Sequence, residues 1–241
     1  MNILAIGAHP DDVETYGAGT LAKYAKLGHK IFMATSTNGN IGSAHHTMEE
    51  IAAIRKEEAR KSAALIGAEY ICLDYDDEMF FEDRAARMKF LDLFRYCKAD
   101  IVFTHAPQDY NPDHMLTSKI ANDVVNMVAI AHLKTPSPPY ENIPTLYYWE
   151  SVYGLQFTPT DWVDISAEFE TKKEMLGMHV SQQQWMKDCY GDTLGSEGNN
   201  DFFENILITS RYRGMQCGVK YAECFTRAND AFRVRAQHVL P

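Results

Sequence analysis

Short apolar runs alternate with longer amphipathic stretches through the first 130 or so residues of the chain. Apolar runs bounded by turn residues are typical of buried strands, whereas apolar positions that recur every three or four residues are typical of helices. This pattern predicts strands at 2–8, 30–37, 69–75 and 100–106, and helices at 12–28, 47–67, 84–97 and 113–132. Strand and helix in strict alternation predict a parallel sheet with helices on both faces.

The alternation weakens after the Pro-rich stretch KTPSPPYENIP at 134–144, which we interpret as a loop or subdomain border. Beyond it the pattern predicts a strand at 145–150, one helix at 166–186, and a loop at 191–201 that is a candidate lid. We therefore predict a single α/β domain with a Rossmann-like three-layer fold and a mostly parallel sheet. Residues 1–133 form its core and carry the functional site, and 134–241 form a C-terminal elaboration.

Composition narrows the class of protein. The formal net charge of −10 over 241 residues argues against a nucleic-acid binder, which normally carries a basic patch. No apolar stretch is long enough to span a membrane, and the N-terminus lacks the basic region of a signal peptide. The five cysteines form no CxxC pair, so the pattern supports neither a cysteine-ligated zinc nor a cysteine nucleophile. These features predict a reduced, cytoplasmic protein.

Polar clusters follow three of the predicted strands: AHPDD at 8–12, TNGNIGS at 37–43 and HAPQDYNPDH at 105–114. Parallel α/β sheets bind ligands outside the carboxyl ends of their strands. The clusters therefore mark the edge of the sheet at which we expect the functional site.

His9 and Asp12 lie three residues apart across a strand-to-helix turn, a spacing that lets both side chains reach one point. His114, after a second strand, is placed to join them. Two imidazoles and one carboxylate would hold zinc, or another divalent transition metal, and leave a position for water. Asp11 is then free to act as general base on that water and as proton donor to the leaving group.

Other interpretations of these residues stay open. Asp11 or Asp12 can cap the first helix, and His114 can be a helix-start histidine that interacts with Asp113. Two histidines and one carboxylate also hold non-haem iron, although the oxygenases with this pattern have all-β folds. The glycines of YGAGT and NGNIGS match neither a dinucleotide-binding fingerprint nor a P-loop.

Two of these motifs carry a resemblance to the PIG-L/LmbE family of zinc-dependent N-deacetylases. AHPDDVE at 8–14 resembles the family's AHPDDE signature with one inserted Val13, and PQDYNPDH at 107–114 resembles its second signature, which usually ends in HPDH. Five further stretches are similar to the family: TNGNIG at 37–42, IRKEEARKSAALIG at 54–67, LDYDDEM at 73–79, KKEMLGMHVSQ at 172–182 and YAECF at 221–225.

The resemblance implies zinc on His9, Asp12 and His114, with Asp11 as general base. It also implies substrate contacts by Arg55 and Asp77 at the mouth of the site. His179 and Glu223 fall in less diagnostic motifs, for which a structural role is as good an interpretation as a functional one. His45 and His46 are interpreted as solvated loop residues. Relatives in the family are often oligomeric, so we expect a homo-oligomer.

Two positions depart from the family pattern. Asn40 stands where the family often has Glu, at a predicted sugar contact, and Asn111 stands where deacetylases usually have His. Asn111 can donate a hydrogen bond to an oxyanion but cannot shuttle a proton, so Asp11 must make both proton transfers or His105 must help.

Asn at position 111 also resembles the zinc-dependent 4-oxalomesaconate hydratases, a branch of the same superfamily with a similar YNYDH segment. They add water to an unsaturated tricarboxylate, and an anionic substrate needs cations such as Arg55, Arg211 and Arg213.

We predict a metal-dependent amide hydrolase that removes the acetyl group from an N-acetylated amino sugar or its conjugate. The alternatives are the hydratase, a non-catalytic carbohydrate-binding protein, and a structural zinc whose fourth position is filled by protein.

Overall fold

A computed structural model describes residues 1–190, 202–228 and 240–241 of the chain. The candidate lid at 191–201 lies outside the described residues. The strands are Asn2–Gly7 (β1), Lys30–Thr37 (β2), Glu69–Tyr75 (β3), Ile101–Thr104 (β4), Thr145–Trp149 (β5), Asp161–Asp164 (β6) and Ala222–Arg227 (β7). The helices are Asp12–Lys26 (α1), Met48–Ala64 (α2), Arg84–Cys97 (α3), Pro112–Val124 (α4), Phe169–Gly177 (α5), Val180–Tyr190 (α6) and Phe202–Cys217 (α7).

The described strands form one sheet in the order β3-β2-β1-β4-β5-β7-β6. The first five strands of that order pair in parallel, and β7 pairs antiparallel with β5 and β6. After β3 the chain returns to the other side of β1 to form β4. This reversal makes the β1–β4 boundary the switch point at which such sheets bind ligands.

Helices cover both faces of the sheet, as the alternation predicted. Ile3 and Ala5 of β1 pack into a core shared with α1 and α5, whereas Leu4 and Ile6 pack into a second core shared with α3 and α4. A strand buried on both faces has a continuous apolar run, which explains why residues 3–7 of β1, ILAIG, are all apolar. The fold prediction of a three-layer α/β domain with a mostly parallel sheet is confirmed.

The predicted elements and the observed ones differ mainly in the second half of the chain. The helix predicted at 166–186 is two helices, α5 and α6, which part at the fully buried His179. The helix predicted at 113–132 ends at Val124, and a short 3₁₀ turn follows it. Strands β6 and β7 and helix α7 were not predicted. No helix in the described part of the chain is long and apolar enough to cross a membrane.

Candidate active site

The turns that follow β1 and β4 bring the first and third polar clusters together at the switch point. Ala8 to Asp11 connect β1 to α1, and residues 105–111 connect β4 to α4. Gly7, the last residue of β1, lets the Asp12 side chain approach the strand, since a Cβ on Gly7 would lie 2.6 Å from the Cβ of Asp12.

His9, Asp12 and His114 converge as the spacing predicted. Nε2 of His114 lies 3.3 Å from Nδ1 of His9 and 3.3 Å from Oδ1 of Asp12. Nδ1 of His9 lies 3.5 Å from Oδ2 of Asp12. A tetrahedral zinc ion with bonds of about 2.0–2.1 Å holds its ligand atoms about 3.3–3.4 Å apart. The two separations from His114 match that spacing, whereas Nδ1 of His9 faces the other oxygen of Asp12, so the three side chains form a group able to hold a metal ion.

Each histidine of this group turns its second nitrogen to a carboxylate. Nε2 of His9 lies 2.8 Å from Oδ1 of Asp77, and Nδ1 of His114 lies 3.1 Å from Oδ1 of Asp109. Carboxylates in this position fix the tautomer and orientation of metal-binding imidazoles. The arrangement leaves Nδ1 of His9 and Nε2 of His114 facing one point.

The charged side chains of the group shift one another's pKa values. Burial lowers the pKa of His114, but Asp12 and Asp109 outweigh it and raise that pKa to about 9. The pKa of His9 is also well above its usual value. Burial lowers this pKa, but the carboxylates of Asp113, Asp12 and Asp77 raise it by more. Burial favours the neutral form of Asp12, yet His114 and His105 hold its pKa well below the usual range. A cation would replace the protons that these groups share.

Asp11 has an environment unlike that of Asp12. Burial raises the pKa of Asp11 to about 6, although the nearby Arg55 guanidinium lowers it in part. Its backbone has φ of 116°, in the left-handed region that non-glycine residues avoid, and its side chain makes no capping hydrogen bond to α1. The capping interpretation of Asp11 therefore does not describe this turn. Strained backbone of this kind is often found at functional sites.

A cavity of about 920 Å³ opens over the group, with Asp11, Asp12, His9 and His114 in its wall. Its described lining is rich in carboxylates: Asp11, Asp12, Asp77, Glu78, Asp109, Glu150 and Glu223. The described lining also includes Arg55 and Lys172, whose charged groups are already hydrogen-bonded within the protein. Four apolar or aromatic side chains of the lining are exposed to solvent: Ile41, Tyr110, Tyr153 and Leu155.

Asn111 is the N-cap of α4 and also lines the cavity. Its Oδ1 accepts hydrogen bonds from the backbone N–H of Asp113 and of His114, at 2.7 and 3.2 Å. Its Nδ2 donates to Oε1 of Glu78 at 3.1 Å. The capping bonds fix the amide so that its nitrogen, the group able to donate, turns away from the helix.

The predicted substrate contacts occupy different positions. Arg55 lines the cavity but is buried. Its Nη2 donates to the Pro10 carbonyl at 2.8 Å and lies 3.8 Å from Oδ1 of Asp11. Asp77 also lines the cavity and faces His9.

Asn40 is buried and is not among the described residues that line the cavity. Its Nδ2 donates to Asp76 at 2.8 Å, and its Oδ1 accepts the backbone N–H of Asp77 at 3.0 Å. Through these bonds it holds the loop that carries Asp77.

The less diagnostic residues form internal contacts. Nε2 of His179 lies 3.1 Å from Glu14, and Glu223 pairs with Lys172 at 2.6 Å. Arg213 is buried against Glu150 at 2.7 Å, and Arg211 is exposed on α7. His45 and His46 are exposed, as expected of loop residues.

Sequence reasoning missed the carboxylates and the indole that surround the central group. Asp109 and Asp113 both lie in the PQDYNPDH motif. Two carboxylates so close to His114 could have predicted an acidic partner for a histidine of the site. Trp149 ends β5, and nothing in the local pattern TLYYWE shows that its indole reaches His105. That contact depends on sheet order, which brings β5 next to β4.

Comparisons with known proteins point to one family. The profile of the family described as GlcNAc-PI de-N-acetylase, PIG-L, matches residues 4–125, just over half of the chain. The mycothiol S-conjugate amidase of Streptomyces coelicolor is 25% identical over 228 residues, covering 75% of this chain and 76% of the relative. The 4-oxalmesaconate hydratase of Pseudomonas putida is 24% identical over 190 residues, covering 75% of this chain and 73% of the relative.

The fold has solved counterparts. The structure of N,N'-diacetylchitobiose deacetylase from Pyrococcus horikoshii superimposes with a TM-score of 0.79 at 23% identity, covering 94% of this chain and 83% of that one. These matches confirm the predicted fold, the predicted family and the prediction of an enzyme. Relatives therefore include both amide hydrolases and a hydratase.

Proposed function

The chain belongs to the PIG-L family of de-N-acetylases, and from this premise we propose that it removes the acetyl group from an N-acetylated amino sugar or sugar conjugate. One observation carries the proposal. Asp11, with a pKa of about 6, lines the cavity beside the His9, Asp12 and His114 group. A carboxyl group with that pKa can both accept and return a proton near neutral pH.

We propose zinc as the ion, held by Nδ1 of His9, Oδ1 of Asp12 and Nε2 of His114. When bound there, zinc supplies a Lewis acid for the amide carbonyl and acidifies a water molecule. All three side chains line the cavity, which favours a catalytic position open to substrate over a structural zinc.

Asp11 moves the protons of the reaction. As a carboxylate it accepts a proton from the attacking water, and as a carboxylic acid it then donates that proton to the nitrogen of the leaving amine. Asn111 has one amide hydrogen in its bond to Glu78 and a second one available to the developing oxyanion. His105 is fully buried, which supports assigning both transfers to Asp11.

The charge of the cavity supports a neutral substrate. Among the described lining residues, Lys172 pairs with Glu223 and donates to the Thr15 carbonyl, and Arg55 donates to backbone carbonyls. A substrate that carries hydroxyl groups can use the many carboxylate acceptors. The amine product, once protonated, is a cation in an acidic cavity.

A hydratase acting on an unsaturated tricarboxylate is the second candidate. The observation that favours it is Asn111, together with a hydratase among the relatives. Three carboxylates of substrate would need cationic partners. Arg213, which was expected to be available for this purpose, is paired with Glu150. We therefore rank the hydratase below the deacetylase.

Acetate release tests the proposal. Zinc-loaded protein is incubated with a panel of N-acetylated amino sugars and their conjugates, and acetate is measured. We expect release by the wild type and a loss of at least about 100-fold in Asp11→Asn, which retains its zinc. Asp123→Asn makes the same chemical change at a surface ion pair on α4 and should keep wild-type turnover.

Other outcomes would overturn the proposal. Sugar binding without acetate release would support a carbohydrate-binding protein, and consumption of an unsaturated tricarboxylate would support the hydratase. Near-normal turnover by zinc-loaded Asp11→Asn would contradict the proton transfers assigned to Asp11.

We further propose a cytoplasmic homo-oligomer. Light scattering of the purified protein would measure the number of subunits in its assembly.

A further inference from the structure

His105 lies directly behind the proposed metal site. Its side chain is completely buried at the end of β4. Nε2 of His105 lies 3.1 Å from Oδ2 of Asp12, and its ring stacks on that of His114 with centroids 3.9 Å apart. The residue therefore touches two of the three proposed ligands and is not among the described residues that line the cavity.

Trp149 decides which nitrogen of His105 carries the proton. The indole Nε1 of Trp149 lies 3.1 Å from Nδ1 of His105, and an indole N–H can only donate. Nδ1 must then offer its lone pair, which puts the hydrogen of the neutral ring on Nε2. In this tautomer Nε2–H donates to the carboxylate of Asp12.

The backbone N–H of Ala8 competes for the same nitrogen, at 3.0 Å from Nε2 of His105. With the hydrogen on Nδ1, the ring would accept from Ala8, but it would clash with the Trp149 N–H and turn a lone pair to the Asp12 carboxylate. With the hydrogen on Nε2, the ring satisfies both Trp149 and Asp12, and only the Ala8 N–H loses its acceptor. The bond to an ionised carboxylate is the stronger type, so the Nε2–H tautomer prevails.

We propose that His105 is a positioning residue, held as the Nε2–H tautomer by Trp149, that presents Asp12 to the metal through one oxygen. Oδ2 of Asp12 then accepts from His105 and from the backbone N–H of His9 at 2.7 Å. Oδ1 remains free and lies 3.3 Å from Nε2 of His114. The inference rests on the proposed metal site. It means that Trp149 and His105 influence which metal ion binds and how tightly it binds.

The hydrogen bond from His105 controls how many oxygens of Asp12 can bind the metal. A carboxylate that binds through one oxygen suits the small tetrahedral sphere of zinc, whereas larger ions such as calcium accept two oxygens from one carboxylate. Loss of the His105 bond frees Oδ2 and removes that restriction. Partners behind metal ligands typically change metal affinity by about 10- to 100-fold.

The first experiment reads the tautomer directly. Protein labelled with ¹⁵N in its histidines is loaded with zinc, and the ring signals of His105 are assigned by their loss in His105→Gln. We expect Nε2 protonated in the wild type and a mixture of tautomers in Trp149→Phe, which keeps an aromatic ring but no N–H. Tyr148→Phe removes a polar hydrogen from the same strand on its other face and should leave His105 unchanged. Protonation on Nδ1 in the wild type would overturn the inference.

The second experiment measures zinc affinity by competition with a chelator. His105→Gln keeps an amide N–H at about the position of Nε2, whereas His105→Asn is too short to reach Asp12, and both lose the stacked ring. We expect about 10- to 100-fold weaker binding in His105→Asn and recovery of part of that loss in His105→Gln. Equal affinities in the two variants would contradict the positioning role.

Thermal unfolding of the metal-free variants separates positioning from general stability. If the affinities simply follow the unfolding temperatures, His105 is a packing residue and the inference fails. If the wild type itself does not bind zinc, the proposed metal site fails instead. The two failures are therefore distinguishable without any measurement of turnover.

Discussion

Asp11 and Asp12 are neighbours in the chain, yet their surroundings move the two carboxyl pKa values in opposite directions. Burial raises the pKa of Asp11 to about 6, with Arg55 opposing it. Asp12 is equally buried, but His114 and His105 keep its pKa well below the usual range. Carboxylates whose pKa values are pushed apart are suited to different roles in catalysis. This contrast supports the proposal that Asp11 transfers protons and Asp12 binds the metal.

The pH dependence of turnover follows from the pKa of Asp11. The group must be ionised to accept a proton, so activity is lost as pH falls through its pKa. A bound cation stabilises the carboxylate, which puts the acidic limb at or below about pH 6. A profile of kcat against pH for the zinc-loaded enzyme measures that limb. A limb above pH 7 would exclude Asp11 as the base.

Gly7 gives a prediction about packing at the same turn. In Gly7→Ala the new Cβ would lie 2.6 Å from the Cβ of Asp12, so the backbone or the Asp12 side chain must move. We expect a loss of about 1–3 kcal/mol in the free energy of unfolding and weaker zinc binding. Denaturant unfolding and a chelator assay measure the two effects.

Gly17→Ala is the matched control for that substitution. Its Cβ would lie 3.7 Å from Trp149, an ordinary contact, and alanine favours helix more than glycine by about 1 kcal/mol. Unchanged zinc binding and equal or higher stability are therefore expected. If Gly7→Ala behaves in the same way, the close approach of Asp12 to the strand is not required.

The sequence predicts contacts between site residues best when the residues are close together in the chain or follow neighbouring strands. His9 and Asp12 lie within one turn, and His114 follows the neighbouring strand, so spacing and sheet rules bring them together. Trp149 contacts His105 from β5, and Asp77 contacts His9 from the loop after β3. No local pattern fixes how these two side chains turn. The convergence of these three side chains could be predicted, whereas the residues that orient them could not.

At the scale of elements, α1 is held by a buried ion pair from the second half of the chain. Nζ of Lys172 on α5 donates to the Thr15 carbonyl, and the Glu223 carboxylate on β7 accepts the N–H groups of Gly19 and Thr20, at 3.0 and 2.7 Å. Lys172 and Glu223 pair at 2.6 Å. The pair thus ties α5 and β7 to the helix whose first turn carries Asp12.

Removal of one member of that pair should be costly. Lys172→Met leaves Glu223 buried without its cation, and we expect a loss of about 3–5 kcal/mol in the free energy of unfolding. In Lys172→Met/Glu223→Gln the uncompensated charge is absent, so the double variant should lose less than the two single variants together. Denaturant unfolding of all four proteins gives the coupling energy. Additive losses would mean that the ion pair contributes nothing as a pair.

The same pair explains why β7 was not predicted. A strand that carries a buried glutamate, AECFTR, lacks the apolar run and the alternation that identified β1 to β4. Similarly, His179 is polar in sequence but fully buried between α5 and α6, so the two helices were merged into one. Buried charges are recognisable only with their partners, and these partners are distant in the chain.

At the scale of the whole molecule, charge is distributed so that the cavity is acidic. The net charge is −10, and the described lining contains seven carboxylates, one arginine, one lysine and the two histidines of the proposed metal site. Even with a divalent cation bound, carboxylates remain in excess. A cleft lined by charges of one sign focuses their electric field on a bound ligand.

An anionic group on the substrate should therefore reduce turnover. Unit charges about 8 Å apart interact by about 2 kcal/mol at an effective dielectric constant of about 20, so one added phosphate should lower kcat/KM by at least about tenfold. N-acetylglucosamine and its 6-phosphate differ by that group alone, and comparing their acetate release at low and high salt measures the effect. Because salt screens charge, the penalty should shrink as ionic strength rises. A preference for the phosphate would contradict the neutral substrate and, with a salt-sensitive gain, would point to a cationic subsite suited to the polyanionic substrates of a hydratase.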